Sequence, residues 1–349
     1  MQYRFEFRPY QQRFLKPLNT SHGTWDVREG IILRLTDKTG KIGWGEIAPI
    51  SWFGSETLEE ALEFCHELPE EITQETIFSI RDELPACQFG FESAAWGLGT
   101  GDWGLGTGDW GLGTGDWGLG TGDNSQSLIP NPQSLTYSGL LPAGEAALQI
   151  WQKLWKEGYR TFKWKIGVYP IVQELEIFER LTQTLPASAK LRLDANGGLS
   201  YEEANLWLRT CDNIKADYEL SLEIEFIEQP LSVAQFEAML ELSYCYQTAI
   251  ALDESVATLN QLARCFKQGW RRIFVIKPGI VGSPSRLRQF CQQHKIDAVF
   301  SSVFETVIGR QAALQLAAEL SQGNRAVGFG VNHWFAQEET LPEALWKKL

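Results

Sequence analysis

The amino-acid sequence predicts an α/β protein in which a closed (β/α) barrel follows a smaller α+β unit. Three observations lead there. From about residue 145 to about residue 330, short apolar runs alternate with amphipathic stretches roughly every 25–30 residues, the pattern of βαβ units and a parallel sheet. Six or more such units in series suggest closure into a barrel. The first 50 residues instead read as strands joined by a hairpin.

Residues 1–8 alternate apolar with polar or charged side chains, which predicts a strand and not a signal peptide. Ile31-Ile32-Leu33-Arg34-Leu35 and Lys41-Ile42-Gly43-Trp44-Gly45-Glu46 flank Thr36-Asp37-Lys38-Thr39-Gly40, a turn sequence, so a hairpin is expected. Residues 57–69 and about 89–96 predict helices. Residues 96–123 are four tandem copies of Trp-Gly-Leu-Gly-Thr-Gly-Asp. The period of seven is not that of a coiled coil here, because each glycine would cost about 1 kcal/mol inside a helix. Calcium-binding glycine-aspartate repeats have a period of about nine and need flanking strands. The better reading is a flexible surface insertion.

Beyond the repeat, barrel strands are expected at 161–166, 190–194, 224–227, 250–253, 272–276 and 298–302. Amphipathic stretches at 171–185, 201–211, 232–245 and 284–294 fill the gaps between them.

Composition bounds the function. The 349 residues are 44% hydrophobic and 21% charged, a globular profile with room for a large core. A net charge of −13 argues against nucleic acid or an anionic membrane as partner. The six cysteines, at 65, 87, 211, 245, 265 and 291, form no Cys-x-x-Cys pair and read as reduced, mostly buried thiols. No apolar run approaches the roughly 18 residues of a membrane helix, so a cytoplasmic protein is expected. His22, His66, His294 and His333 show no catalytic pattern.

The chemistry lies where the apolar strands stop. They end in Lys163-Trp164-Lys165, Asp194-Ala195-Asn196-Gly197, Glu228-Gln229-Pro230, Asp253-Glu254-Ser255 and Lys277-Pro278-Gly279. In a barrel those ends converge on one mouth, where active sites form. Asp194, Glu228 and Asp253 come from successive strands, 34 and 25 residues apart. Each alone could cap the following helix. Together, unpartnered, they would repel and raise one another's pKa, and a hard divalent cation removes that cost. All-oxygen ligation favours Mg²⁺ over zinc, with Mn²⁺ as the expected substitute. Lys163 and Lys165 are two apart and so share one strand face. Mutual repulsion beside a cation would lower a lysine pKa toward neutrality and make it a usable base; solvated lysines on an edge strand are the alternative. Lys277 lies across the mouth. A carboxylate substrate held between these lysines could lose its α-proton, with the metal stabilising the enediolate.

At these positions the chain resembles the enolase superfamily, and more narrowly its o-succinylbenzoate synthases. The resemblance spans nearly all of the chain except the repeat. It is carried by Gly43-Trp44-Gly45-Glu46-Ile47-Ala48-Pro49, Phe162-Lys163-Trp164-Lys165, Leu191-Arg192-Leu193-Asp194-Ala195-Asn196-Gly197, Phe226-Ile227-Glu228-Gln229-Pro230, Leu252-Asp253-Glu254-Ser255 and Ile276-Lys277-Pro278. Muconate cycloisomerases, dipeptide epimerases and N-acylamino-acid racemases share the acids and lysines. Arg192 and the run Lys277-Pro278-Gly279-Ile280-Val281-Gly282-Ser283 tilt the likeness toward the synthases.

The resemblance implies a modified TIM barrel, (β/α)₇β, under an N-terminal α+β capping domain. The expected division is 1–125 for the cap with its insertion, 126–330 for the barrel, and 331–349 for a segment packing back on the cap. Asp194, Glu228 and Asp253 would be Mg²⁺ ligands, with Asn196 and Glu254 behind them. Lys165 would be the base, returning its proton to the leaving hydroxide, while Lys277 would stabilise the enediolate and Lys163 balance charge. The substrate would be the small carboxylate 2-succinyl-6-hydroxy-2,4-cyclohexadiene-1-carboxylate of menaquinone or phylloquinone biosynthesis. Arg192 would either orient a substrate carboxylate or pair with a neighbouring acid. Ser301 and Ser302 would contact the succinyl tail. The cap loops holding Ser21, Trp52 and Phe53 would act as lids. The reading from another class is a barrel that binds without catalysing, which would typically have lost one of these groups.

Overall fold

A computed structural model of the chain describes residues 1–20, 23–99, 132, 135–216, 222–323, 325–330, 335 and 341–349. The N-terminal unit contains β1 (Gln2–Thr20), β2 (Gly23–Thr36), β3 (Ile42–Ile47), α1 (Leu58–Glu67), β4 (Glu71–Thr73), α2 (Gln74–Phe78) and α3 (Pro85–Gly99). Its antiparallel sheet has the order β3-β2-β1-β4. The expected turn forms because the Asp37 carboxylate accepts from the Thr39 N–H (2.8 Å) and the Lys41 N–H (3.0 Å), with Gly40 at φ +86°.

Alternation gives this sheet two apolar faces. Tyr3, Phe5, Ile31, Leu33 and Leu35 pack into one core with Ala61, Cys65, Phe91 and Ala94 of the helices. Tyr10 and Ile32 point the other way, against Ile308 and Trp346. The glycines of Gly43-Trp44-Gly45 let α3 lie directly on β3. A Cβ on Gly43 would stand 2.0 Å from the Ala94 carbonyl oxygen, and one on Gly45 2.1 Å from that of Gly90.

The barrel follows as β5 (Ser138–Leu141), α4 (Ala147–Lys156), β6 (Thr161–Lys165), α5 (Ile171–Thr184), β7 (Lys190–Asp194), α6 (Tyr201–Ala216), β8 (Glu223–Glu228), α7 (Phe236–Cys245), β9 (Ala249–Leu252), α8 (Leu259–Lys267), β10 (Ile273–Ile276), α9 (Pro278–Val281), α10 (Pro284–His294), β11 (Asp297–Phe300) and α11 (Val307–Leu320). Helix α12 (Pro342–Lys348) carries Trp346 onto the cap sheet. The seven parallel strands run in sequence order from β5 to β11. Val327 bridges Tyr137 beside β5, and Gly328 bridges Ser301 beside β11, so this two-residue segment fills the eighth place and closes the barrel. The fold is the modified (β/α)₇β barrel with a capping domain.

Outward-facing residues of the strands pack under the helices. Trp164, Phe178 and Trp207 form one such set, with ring centroids 5.2–6.3 Å apart. Each contributes about 2–3 kcal/mol relative to exposure. Ile280 of α9 and Val303 of the loop before α11 join the core of the cap, so the two units share packing.

Some expectations are corrected. β5 was not foreseen. The 232–245 helix divides into a 3₁₀ turn, Val233–Gln235, and α7. The last strand stops at Phe300, leaving Ser302 beyond it. Helix α3 runs on through Trp96–Gly99, the first four residues of the repeat; residues 100–123 lie outside the described residues. Among the described residues no helix is long and apolar enough to cross a membrane.

Candidate active site

Alternation along each barrel strand decides which side chains reach the interior. On β6, Phe162 and Trp164 go outward into the core, so Lys163 and Lys165 go inward. Parallel register then stacks the interior in levels. Lys163, Arg192 and Phe226 are paired at one level, and Lys165, Asp194 and Glu228 at the next, on the C-terminal rim. Asp253 follows the end of β9, and Lys277 follows the end of β10. β10 lies four places round from β6, so Lys277 faces the other two lysines across the mouth. Below them Phe226, Ala251, Ile273, Val275 and Val299 form an apolar floor.

Lys163 Nζ lies 2.8 Å from Asp194 Oδ2 and 2.7 Å from Glu228 Oε1. Lys277 Nζ is ion-paired with Asp253 Oδ1 and sits 3.8 Å from the ring centroid of Phe53. Burial works to lower the Lys163 pKa, but the charges of Asp194, Glu228 and Asp253 outweigh it and hold the group above the ordinary lysine value. The lysine pKa lowered by lysine–lysine repulsion is not found at Lys163, because its nearest neighbours are carboxylates and not the second lysine. In this arrangement the carboxylates favour the charged form of Lys163. Burial pushes Glu228 up to about 8, helped by Asp194. Burial likewise raises Asp253 and Glu254. Asp194 goes down, because Lys163 overcomes the effect of burial.

The donors fit a hard divalent cation. Three buried carboxylates meet at one rim, and raised acids mark a place short of positive charge. Asn196 Nδ2 donates to Glu254 Oε1 (3.1 Å), while Asn196 Oδ1 and Glu254 Oε2 are buried oxygens without a hydrogen-bond partner. Lys163 and Lys277 engage the carboxylates here, and among the described residues no three His, Cys, Asp or Glu close to metal-ligand spacing. Closing on a cation requires the ammonium groups to release those oxygens.

The remaining candidates divide. Phe53 reaches the site beneath Lys277, and Trp52 beside it packs edge-on to Trp25 at 4.9 Å. Ser301 follows the end of β11, half-buried and bridged to Gly328. Ser302 does not join them: its hydroxyl donates to Glu305 Oε2 (2.9 Å) and accepts from the Phe304 N–H (2.9 Å), folding the loop. Arg192 takes the second of its two roles. It lies one level below the rim, donates to Glu225 Oε2 at 2.6 Å and to the Ala326 carbonyl at 2.8 Å, and is buried. Ser21 lies outside the described residues, as do His22 and His333. His66 packs on Phe7 and His294 on Phe266, away from the mouth.

Two supporting carboxylates were not singled out from the sequence. Glu174 accepts from the N–H groups of Gly167, Val168 and Tyr169 at 2.8–3.0 Å, fixing the loop after Lys165. Its place on the buried stripe of Glu174, Ile177, Phe178 and Leu181 was the available signal. Glu46 accepts from Tyr10 Oη (2.5 Å) and from the N–H groups of Thr306 and Gly309 (both 2.9 Å), clasping the cap to the start of α11.

Comparison with known proteins identifies the family and the fold. Residues 146–345 match the model of the family described as enolase C-terminal domain-like, and residues 17–98 match that described as MenC, N-terminal domain. The chain is 37% identical to the o-succinylbenzoate synthase of Thermosynechococcus vestitus (strain BP-1), covering 99% of both. A crystal structure of the o-succinylbenzoate synthase from Thermosynechococcus elongatus BP-1, with Mg in its active site, superimposes with a TM-score of 0.84 at 37% identity, over 99% of this chain and 100% of that one. The L-Ala-D/L-Glu epimerase of Bacillus subtilis shares the fold, with a TM-score of 0.72 at 20% identity over 96% of this chain and 91% of that one.

Proposed function

Because the chain belongs to the o-succinylbenzoate synthase family of the enolase superfamily, we propose that it is a hydro-lyase converting 2-succinyl-6-hydroxy-2,4-cyclohexadiene-1-carboxylate to 2-succinylbenzoate. The observation that carries the reading is the pairing of Lys165, Asp194 and Glu228 on one rim level, with Lys277 facing them.

The chemistry is loss of water. The carbon bearing the carboxylate gives up its proton, the neighbouring carbon loses hydroxide, and the ring gains its third double bond. Lys165 is at the right level to take the proton and return it to the departing hydroxide on the same face. Lys277, on the opposite wall, opposes the negative charge that grows on the carboxylate as the C–H bond breaks. Lys163, held positive, balances Asp194 and Glu228. Asp194, Glu228 and Asp253 would hold Mg²⁺, which when bound supplies the positive charge that makes the α-proton removable. Mn²⁺, another oxygen-seeking cation, is the expected substitute. Phe53 and Trp52 exclude water from the mouth and Ser301 meets the tail. The small-molecule reaction and the buried thiols suit a cytoplasmic enzyme, with no role for nucleic acid.

Incubating the purified protein with Mg²⁺ and this substrate tests the reading. Aromatic ultraviolet absorbance should appear. No aromatic product, together with epimerisation of dipeptides, would move the chain to the epimerase branch.

A further inference from the structure

We propose that Gln229 is the positioning residue that holds the three carboxylates in register for their cation. The inference rests on the reading of Asp194, Glu228 and Asp253 as ligands, and it concerns a residue with no charge and no place in the chemistry.

Gln229 follows Glu228 directly and is fully buried. Its bonds reach the loops behind all three acids. Its main-chain carbonyl accepts from the Gly197 N–H (2.7 Å), in the loop that follows Asp194. Its main-chain N–H donates to the Ala251 carbonyl (2.8 Å), two residues before Asp253. Its side-chain oxygen accepts from the N–H groups of Asp253 (3.0 Å) and Ser255 (3.2 Å). Its side-chain amide donates to Ser255 Oγ (2.7 Å) and the Leu231 carbonyl (3.0 Å).

The backbone adopts φ +37°, a left-handed conformation that a residue with a side chain takes only at a cost. That turn aims the side chain from the end of β8 to the end of β9. A glutamine fits because one oxygen must receive two N–H groups while the nitrogen gives two hydrogens away. A carboxylate lacks the donors, and a methionine lacks both. A buried amide that merely avoided a desolvation penalty would need partners, but not partners that tie the loop after Glu228 to the one holding Asp253, while its own main-chain carbonyl holds the loop after Asp194. Groups that orient metal ligands from behind typically change metal affinity 10- to 100-fold, or about that, when removed.

Calorimetric Mg²⁺ titration of the full chain, without substrate, reads this directly. Gln229→Met should stay folded and bind Mg²⁺ about 10- to 100-fold more weakly. Leu208→Ala, which hollows the packing under α6 far from the rim, should lower the melting temperature and leave Mg²⁺ affinity within about twofold. Wild-type affinity in folded Gln229→Met, or an equal loss in Leu208→Ala, would overturn the proposal. If Gln229→Met does not fold, Ser255→Ala decides. It removes one partner of the amide, so it should weaken binding severalfold, and unchanged affinity overturns the idea. A wild type that binds Mg²⁺ but leaves the cyclohexadiene substrate untouched contradicts the proposed reaction and not this role. A wild type that binds no Mg²⁺ contradicts both.

Discussion

The Lys163 ammonium stands 2.7 Å from Glu228 Oε1. It starts one level below that acid and reaches up to the rim, so it competes with any cation for the same oxygens. Replacing it with the uncharged Lys163→Met should therefore tighten Mg²⁺ binding, read by calorimetry, while turnover falls by about 10²-fold or more. Weaker Mg²⁺ binding in that variant would show that the ammonium supports the site in some other way.

Lys165 has the opposite signature. It shares the rim level with Asp194 and Glu228 but makes neither of the close ion pairs that hold Lys163. Lys165→Ala should lose about 10²- to 10⁴-fold in turnover, with Mg²⁺ affinity nearly unchanged. Retained turnover would remove it from the role of base.

Arg192 is a stability residue. Arg192→Leu leaves Glu225 buried beside a weaker partner, Arg325 at 3.3 Å. Breaking a buried pair in this way costs about 3–5 kcal/mol, measurable by urea unfolding. The folded fraction should keep its affinity for substrate; a selective rise in KM at unchanged stability would restore the substrate-binding reading.

Among the cysteines, Cys245 is exposed and the other five are buried. Burial pushes Cys65 and Cys291 up to about 12 and Cys265 up to about 11, and raises Cys87 as well. A raised thiol pKa means less thiolate at any pH below it, so these groups stay protonated and unreactive near neutrality. A thiol-reactive dye should label one site quickly in the native protein, identified by mass spectrometry as Cys245, and the rest only on unfolding.

After the heptapeptide repeat, whose residues 100–123 lie outside the described residues, the described chain resumes on the side of the barrel away from the chemistry. Leu135–Tyr137 lead into the N-terminal end of β5, and the lysines and acids stand at the C-terminal ends of its neighbours. Excising residues 103–123 should leave turnover within about twofold, because the rim groups keep their supports. A collapse in activity with an intact circular dichroism spectrum would tie the insertion to the mouth.

The site was legible because each apolar run stopped at a charge, and parallel strands bring such ends together whatever lies between them. Alternation placed Lys163 and Lys165 on one face for the same reason. Depth was not legible. Arg192 faces inward like Asp194, but its partner Glu225 arises from a register shift between Leu191 and Arg192 that no pattern announces. Ser302 continued an apolar run in the sequence, yet it turns away beyond the strand to bond Glu305. β5 was missed because Ser138-Gly139-Leu140-Leu141 is short and carries no β-branched residue. The closing pair Val327 and Gly328 is shorter still. Gln229 stood in view beside Glu228, but its hydrogen-bond partners are distant in sequence.

Metal dependence of the dehydration itself is the most direct measurement. The rate of aromatic ultraviolet absorbance should be substantial with Mg²⁺, fall to background after chelation, and return when Mg²⁺ is restored. Dehydration that persists undiminished in thoroughly chelated protein would contradict a reaction built on Asp194, Glu228 and Asp253.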